Sequence, residues 1–219
     1  MEIKELIKKE KMKYNNLYLT DNKYGWKSGR PKIFLRGNDK IHTFVKRAIQ
    51  DSKTILDVGC GRGYFTDFFK REYPHLKITC IDIAAKEIRK YRPDMNIIEA
   101  SADNIPFPDN FFDLVVHLDG MEHIPAEIEE KTFVEEYRVS KKYVYHQIAT
   151  HSVARDKDWI AKGLGAIHIN LKTPEEWKLW FDKMSFLYRM KVLNFVDYRL
   201  WAHVLLEKKI HKGTVCNND

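Results

Sequence analysis

Residues 54–63 read Thr-Ile-Leu-Asp-Val-Gly-Cys-Gly-Arg-Gly, an apolar run that enters a turn with glycines at alternate positions. A short apolar run closed by such a turn is the end of a buried strand followed by a glycine-rich nucleotide loop. Gly59, Gly61 and Gly63 allow φ > 0 and leave no Cβ where a ligand must approach the backbone. The dinucleotide fingerprint does not fit, because its last small residue, counted from Gly59, falls on the bulky Tyr64. Glycine turns also arise for steric reasons alone, so the loop gains meaning only from the residues downstream of it.

From Thr54 onward, strand-like and helix-like segments alternate. The pattern predicts strands at 54–59, 77–83, 96–101, 112–118 and 142–149 and helices near 64–73, 84–92 and 125–139, with Pro125 in the first turn of the last. Alternation of this kind implies a parallel sheet covered by helices on both faces. Residues 150–172 carry no sustained periodicity, and Thr173-Pro174-Glu175-Glu176 then opens a helix in the manner of a capping box, running to about Met184. Two closely joined runs, 189–197 and 199–207, predict an antiparallel hairpin. Upstream, Ile3, Leu6 and Ile7 suggest a helical start, and Ile41, Phe44, Val45, Ala48 and Ile49 predict an amphipathic helix before the loop. Between these helices lies the turn-rich, aromatic stretch 24–31. The expected organisation is a helical lid segment at 1–50, a main domain at 51–210 with a substrate-covering insert at 150–172, and a tail at 211–219.

A chain of 219 residues buries a substantial core without metal or disulfide help, and its 13% aromatic and 32% charged residues suit a folded domain. No apolar stretch is long enough to span a bilayer, and the first residues lack the apolar block of a signal peptide, so a cytoplasmic location is expected. The three cysteines have no CxxC spacing, so neither a disulfide framework nor a zinc site is indicated, and no metal centre is expected. The formal charge of +7 is dispersed over both ends of the chain. It allows an anionic small substrate or nucleic acid as partner.

With Asp57 before the glycines, the loop spells Asp-x-Gly-x-Gly-x-Gly, and in this the chain resembles the class I S-adenosylmethionine-dependent methyltransferases. The resemblance implies a Rossmann-like methyltransferase fold: a mostly parallel seven-stranded sheet with an antiparallel C-terminal hairpin and helices on both faces. It implies S-adenosylmethionine as cofactor and S-adenosylhomocysteine as product, with Asp57 helping to bind the ammonium group. Asp82, nineteen residues after Gly63 at the end of the second strand and next to Ile83, stands where a βαβ nucleotide unit places a carboxylate for both ribose hydroxyls. The stretch Ala100 to Asp113, with its acid, Pro-Phe pair and closing Phe-Asp, is similar to the family's third element. There Asp103 would accept from the adenine amino group and Ala102 would offer its N–H to the ring. The segment Val115 to Ile124 looks like the family's stretch ending in Leu-Glu-His-Ile, with His117 facing the sulfonium and Asp119, Glu122 and His123 bordering the acceptor.

Methyl transfer is an in-line displacement at an already activated carbon, so alignment and exclusion of water are the main demands. A hydroxyl acceptor also benefits from a base near neutrality, for which His123 is the first candidate, with Asp119 and His146 beside it. Tyr24, Trp26, Arg30, His151, Arg155 and His168, in the two irregular covers, are candidate substrate contacts. The expected acceptor is a small molecule, methylated on an oxygen of an anionic or phosphorylated metabolite, sugar or surface-glycan precursor. An RNA or other nucleic-acid methyltransferase and a non-catalytic S-adenosylmethionine-binding protein are the alternatives. Against nucleic acid stands the absence of Asn/Asp-Pro-Pro-aromatic after the fourth strand and of any RNA-binding module. Monomer and homodimer both remain open.

Overall fold

The computed structural model describes residues 2–20, 45–150, 167–198 and 201–209. The elements in chain order are α1 (Ile3–Thr20), β1 (Thr54–Val58), α2 (Tyr64–Glu72), β2 (Lys77–Asp82), α3 (Ala85–Tyr91), β3 (Ile97–Glu99), β4 (Phe112–Leu118), α4 (Ala126–Val139), β5 (Ser140–Ala149), α5 (Pro174–Leu187), β6 (Met190–Tyr198) and β7 (Trp201–Lys208), with residues 45–50 also helical. The seven strands form one sheet in the order β3-β2-β1-β4-β5-β7-β6. Neighbours from β3 through β5 are parallel, and β7 runs antiparallel to both β5 and β6. This is the expected Rossmann-like methyltransferase fold, and the strand and helix bounds lie within a few residues of the expected ones.

Side chains alternate across each strand, so a sheet with two covered faces needs two cores. Leu56 and Val58 of β1, Val115 of β4, Val144 of β5 and Leu206 of β7 enter one core, which Phe133 of α4 and Trp177 and Phe181 of α5 fill from outside. Ile55, Leu114 with Val116, Tyr143 with Tyr145, and Leu205 enter the other, beneath Val45, Ala48, Ile49 and Phe69. Each of these large side chains contributes roughly 1.5–3 kcal/mol by leaving water. The Pro-Phe element serves the first core, since Phe107 packs against it and lies 4.9 Å in ring centroids from Phe112.

The loop from Ser101 to Asp109 is clamped by one face of α4. Lys131 Nζ donates to Asp103 Oδ2, Glu135 Oε2 accepts from the Ile105 N–H, and Arg138 donates to the Ile105 and Phe107 carbonyls. The spacing 131, 135, 138 puts the three side chains on adjacent turns. The start of β4 is tied in the same way, Asp113 Oδ2 accepting from the backbone of Lys53 and Thr54.

The helical start expected from Ile3, Leu6 and Ile7 runs on as far as Thr20, because Tyr14, Leu17 and Tyr18 continue the apolar stripe of α1 past the polar Asn15-Asn16 pair. The N-terminal segment also divides between places: Tyr18 packs with β2 and α3, whereas residues 45–50 join the core around Phe69. Residues 151–166, most of the envisaged insert, and the tail 211–219 lie outside the described residues. No helix among the described residues is long and apolar enough to cross a membrane.

The capping box forms as the sequence suggests, with Glu176 N–H donating to Thr173 Oγ1 and Thr173 N–H donating to Glu176 Oε2. Thr173→Ala should therefore lower the unfolding free energy by about 1 kcal/mol. Urea denaturation reads the change as a shifted midpoint with an unaltered slope.

Candidate active site

In an open sheet whose strand order reverses, the loops after the strands diverge at the reversal and leave a crevice. Here β1 is flanked by β2 and β4, and Val58 is paired with both Ile81 and His117 near the strand ends. A cleft opens beyond them. Its floor is Val58, Gly59, Ile81, Asp82, Ile83 and His117. Ala102 stands on one side, with Asp119, Gly120, His123 and Ile124 on another.

The wall facing the sheet comes from α1, through Ile7, Glu10, Tyr14 and Tyr18. Spacings of three, four and four residues place these on one helical face. The helix is held by an ion pair from Lys11 to Glu99 at the end of β3 and by the burial of Tyr18 on α3.

Asp82 is the junction of the floor. Its Oδ2 accepts from the Gly61 N–H at 3.0 Å and its Oδ1 from the Ala84 N–H at 2.8 Å. The carboxylate thus joins the glycine loop to the turn after β2, while each oxygen keeps a further lone pair for a ligand. Burial raises its pKa from the ordinary 3.8, against the pull of the two N–H groups.

The glycines divide the work. Gly59, at φ +64, faces the cleft. Gly61 and Gly63 do not line it: a Cβ on Gly61 would sit 3.0 Å from the Tyr18 hydroxyl, and one on Gly63 would sit 2.4 Å from Met95. They admit α1 and the segment after α3 close to the loop.

Of the other expected cofactor residues, Ile83, Ala102 and His117 line the cleft. Asp57 does not: its buried Oδ2 accepts from Thr66 Oγ1 at 2.7 Å, and burial holds its carboxyl well above the usual range. That bond ties β1 to α2. Asp103 is likewise withdrawn from the lining, its two oxygens accepting from Ser101 and Lys131. In both places a nearby helix supplies the carboxylate's partner before a ligand does.

Among the expected catalytic residues, Asp119 and His123 border the cleft. Asp119 adopts φ +48 and accepts from Trp201 Nε1 at 2.7 Å. His123 Nδ1–H donates to the Ile167 carbonyl at 2.8 Å, which leaves the lone pair on Nε2. Burial, with His168 beside it, lowers its pKa to about 3, so the ring is neutral at physiological pH and a weak acceptor of protons.

His146 lies in the interior, fully buried, 3.3 Å from Glu136 and packed on Phe181, and it does not line the cleft. The parallel register sets it beside His117, whose Nδ1 is 2.6 Å from the same Glu136. His168 does not line the cleft but approaches His123, ring centroids 4.7 Å apart. Tyr24, Trp26, Arg30, His151 and Arg155 lie outside the described residues.

Residues 55–143 match the family model described as Methyltransferase domain. The chain is similar in fold to the PH0226 protein of Pyrococcus horikoshii OT3, with TM-score 0.65, 15% identity and coverage of 88% of this chain and 98% of that one. It is similar also to a SAM dependent methyltransferase from Aquifex aeolicus, with TM-score 0.52, 19% identity and coverage of 72% and 82%. In sequence it is 41% identical over 49 residues to malonyl-acyl-carrier-protein O-methyltransferase of Anoxybacillus flavithermus, a match covering 22% of this chain and 19% of that enzyme. The chain thus spans about a fifth of the length of that curated relative.

The sheet order, with the cleft at its reversal, is that of a Rossmann-like methyltransferase fold. Residues 55–143 thus carry a methyltransferase domain, and together with the fold shared with the Aquifex protein this supports S-adenosylmethionine as the cofactor.

The cleft fits that cofactor on its own chemistry. Asp82 offers a carboxylate to a diol, Gly59 leaves the backbone bare, and Ile83 and Ala102 offer apolar contact to a flat base. Among the described residues the lining holds Glu10, Asp82 and Asp119 but no lysine or arginine, a balance that suits a sulfonium cation. Asp82→Ala should weaken S-adenosylhomocysteine binding about tenfold or more by calorimetry, through lost charge-assisted bonds. Binding to the wild type should also weaken on acidification. Protonating Asp82 removes an acceptor, and because its pKa is raised the midpoint should lie above 3.8. In Asp82→Asn that acid limb should vanish.

Proposed function

We propose that the protein transfers a methyl group from S-adenosylmethionine to an oxygen of a small polar molecule held between α1, the stretch Asp119 to His123 and the segment from Ile167. The observation that carries this reading is the junction at Asp82, which puts a carboxylate and the bare backbone of Gly59 into one cleft. When bound, the cofactor supplies a methyl group on a sulfonium, an electrophile that chiefly requires an aligned nucleophile.

The chain's own residues provide the alignment. Asp82 accepts the ribose hydroxyls, and the face of α1 closes the cleft against water. His117, buried and steadied by Glu136 through Nδ1, forms a fixed floor near the strand end, where Gly120 is pressed so closely that a Cβ there would meet Nε2 at 1.9 Å. The neutral His123 offers its Nε2 lone pair to an acceptor O–H and so orients it. It holds a proton poorly, which limits it to a positioning role.

An oxygen acceptor agrees with the activity of the malonyl-acyl-carrier-protein relative, which is an O-methyltransferase. A small molecule agrees with a cleft that α1 walls on one side. The charge of +7 points to an anion, yet the described lining carries acids and imidazoles, so basic side chains that hold an anion would belong to positions such as Arg30 and Arg155.

The test combines two measurements. Calorimetry should show S-adenosylhomocysteine binding in the micromolar range. Incubation with methyl-labelled S-adenosylmethionine and a panel of hydroxy- and carboxy-bearing metabolites should give labelled ethers or esters. No binding of the cofactor product would remove the reading, and labelled RNA in place of labelled metabolites would replace its acceptor.

A further inference from the structure

We propose that Glu122, His123 and His168 bind a divalent cation beside the acceptor end of the cleft, which is lined by His123 of the three. One ligand atom from each residue lies within 4.8 Å of the others. Bonds of about 2.0–2.2 Å to imidazole nitrogen and carboxylate oxygen require a separation of no more than about 4.2 Å, so less than about one ångström of adjustment closes the site.

The first argument is the state of Glu122. It is fully buried, in the short 3-10 turn Met121–His123. Its Oε1 accepts from the Ala149 N–H at 3.0 Å, and its Oε2 has no hydrogen-bond partner among the described residues. A carboxylate buried with an open oxygen beside Asp119 is costly unless a proton or a cation compensates it. Lys13, the basic side chain near His123, is committed to Glu10.

The second argument is preorganisation. The His123 Nδ1–H bond to the Ile167 carbonyl is the outer bond that fixes a metal-bound imidazole and presents Nε2. The next residue is His168, whose ring is tilted 32° from that of His123 at 4.7 Å. Immediately after it, the N–H groups of Ile169 and Asn170 both donate to the Glu122 carbonyl at 3.0 Å. One four-residue backbone segment thus orients His123, delivers His168 and is pinned to Glu122. Ligands 45 positions apart form no local spacing motif, which is why no metal centre was expected from the sequence.

Two imidazoles and one carboxylate select first-row ions such as Zn²⁺, Co²⁺ or Mn²⁺ over Mg²⁺ and Ca²⁺ and leave coordination positions open. Such an ion would take the His123 Nε2 lone pair in place of its direct contact with an acceptor O–H, and would let an acid-walled cleft receive a carboxylate or a pair of vicinal hydroxyls. That role rests on the methyl-transfer reading, whereas ion binding itself does not. The other cluster of this kind among the described residues, His117, Glu136 and His146, is fully buried and already joined by a 2.6 Å hydrogen bond, so it serves as the control.

The experiment is titration of chelator-treated protein with Co²⁺ alone, followed by visible ligand-field absorption, with a circular dichroism melt for each variant. We expect one Co²⁺ per chain at micromolar affinity. His168→Ala changes a half-buried residue, and Glu122→Gln keeps an acceptor for Ala149; each should weaken binding about tenfold or more, while His146→Gln should not. No Co²⁺ bound by the wild type, unchanged affinity in folded His168→Ala, or a loss confined to His146→Gln would overturn the proposal. Parallel calorimetry with S-adenosylhomocysteine separates the two readings: failure there with cobalt binding intact removes methyl transfer and leaves the ion site standing.

Discussion

The cleft depends on one carboxylate placed between two loops. Asp82 ends β2, and by accepting from the Gly61 and Ala84 N–H groups it fixes the turn after β1 relative to the turn after β2. It works beside two backbone bonds, from the Cys60 N–H to the Ile81 carbonyl and from the Gly63 N–H to the Cys60 carbonyl, that help to hold the glycines at positive φ. With it, the loop is set at the reversal of strand order, and α1 can lie against it through Tyr18. Much of the cost of burying the acid is offset by the same bonds that give the loop its form.

Carboxylates elsewhere in the domain show how context divides one residue type among tasks. Asp57, Asp103 and Asp113 all sit in strands or in the loops beside them, where the family pattern draws attention to acids. Each is satisfied by protein: Asp57 by Thr66, Asp103 by Ser101 and Lys131, Asp113 by the backbone at the start of β1. Their work is to lock loops so that the acids in the lining, Asp82 and Asp119, keep their places.

The fold was legible because its signals are local. Alternating apolar runs, a glycine turn, a capping box and a tight hairpin each specify an element within a few residues, and right-handed crossover connections leave few ways to assemble them. Gly59, Asp82, Ile83, Ala102 and His117, which line the cleft, could be singled out because strand ends can be counted. What escaped was set by tertiary geometry. Asp57 and His146 look like site residues on the sequence, and only the packing of Thr66 and of the β4–β5 register shows them turned to other partners. The face of α1 was missed because Asn15 and Asn16 break the apparent stripe, although Ile7, Glu10, Tyr14 and Tyr18 recur at helical spacing. The meeting of Glu122 and His123 with His168 is a fact of backbone pairing across 45 residues.

The place of β7 has a bearing on how the chain is made. It leaves the ribosome after β6, yet it lies between β5 and β6, pairing with Tyr143–Ala149 on one side and Met190–Tyr198 on the other. Until residues 201–208 emerge, β5 presents an open edge and β6 has no seat in the sheet, so the nascent domain carries an unpaired apolar strand through the later part of its synthesis. That interval is when a neighbouring chain or a chaperone can engage it. A pause in synthesis before residue 201 would prolong the exposure.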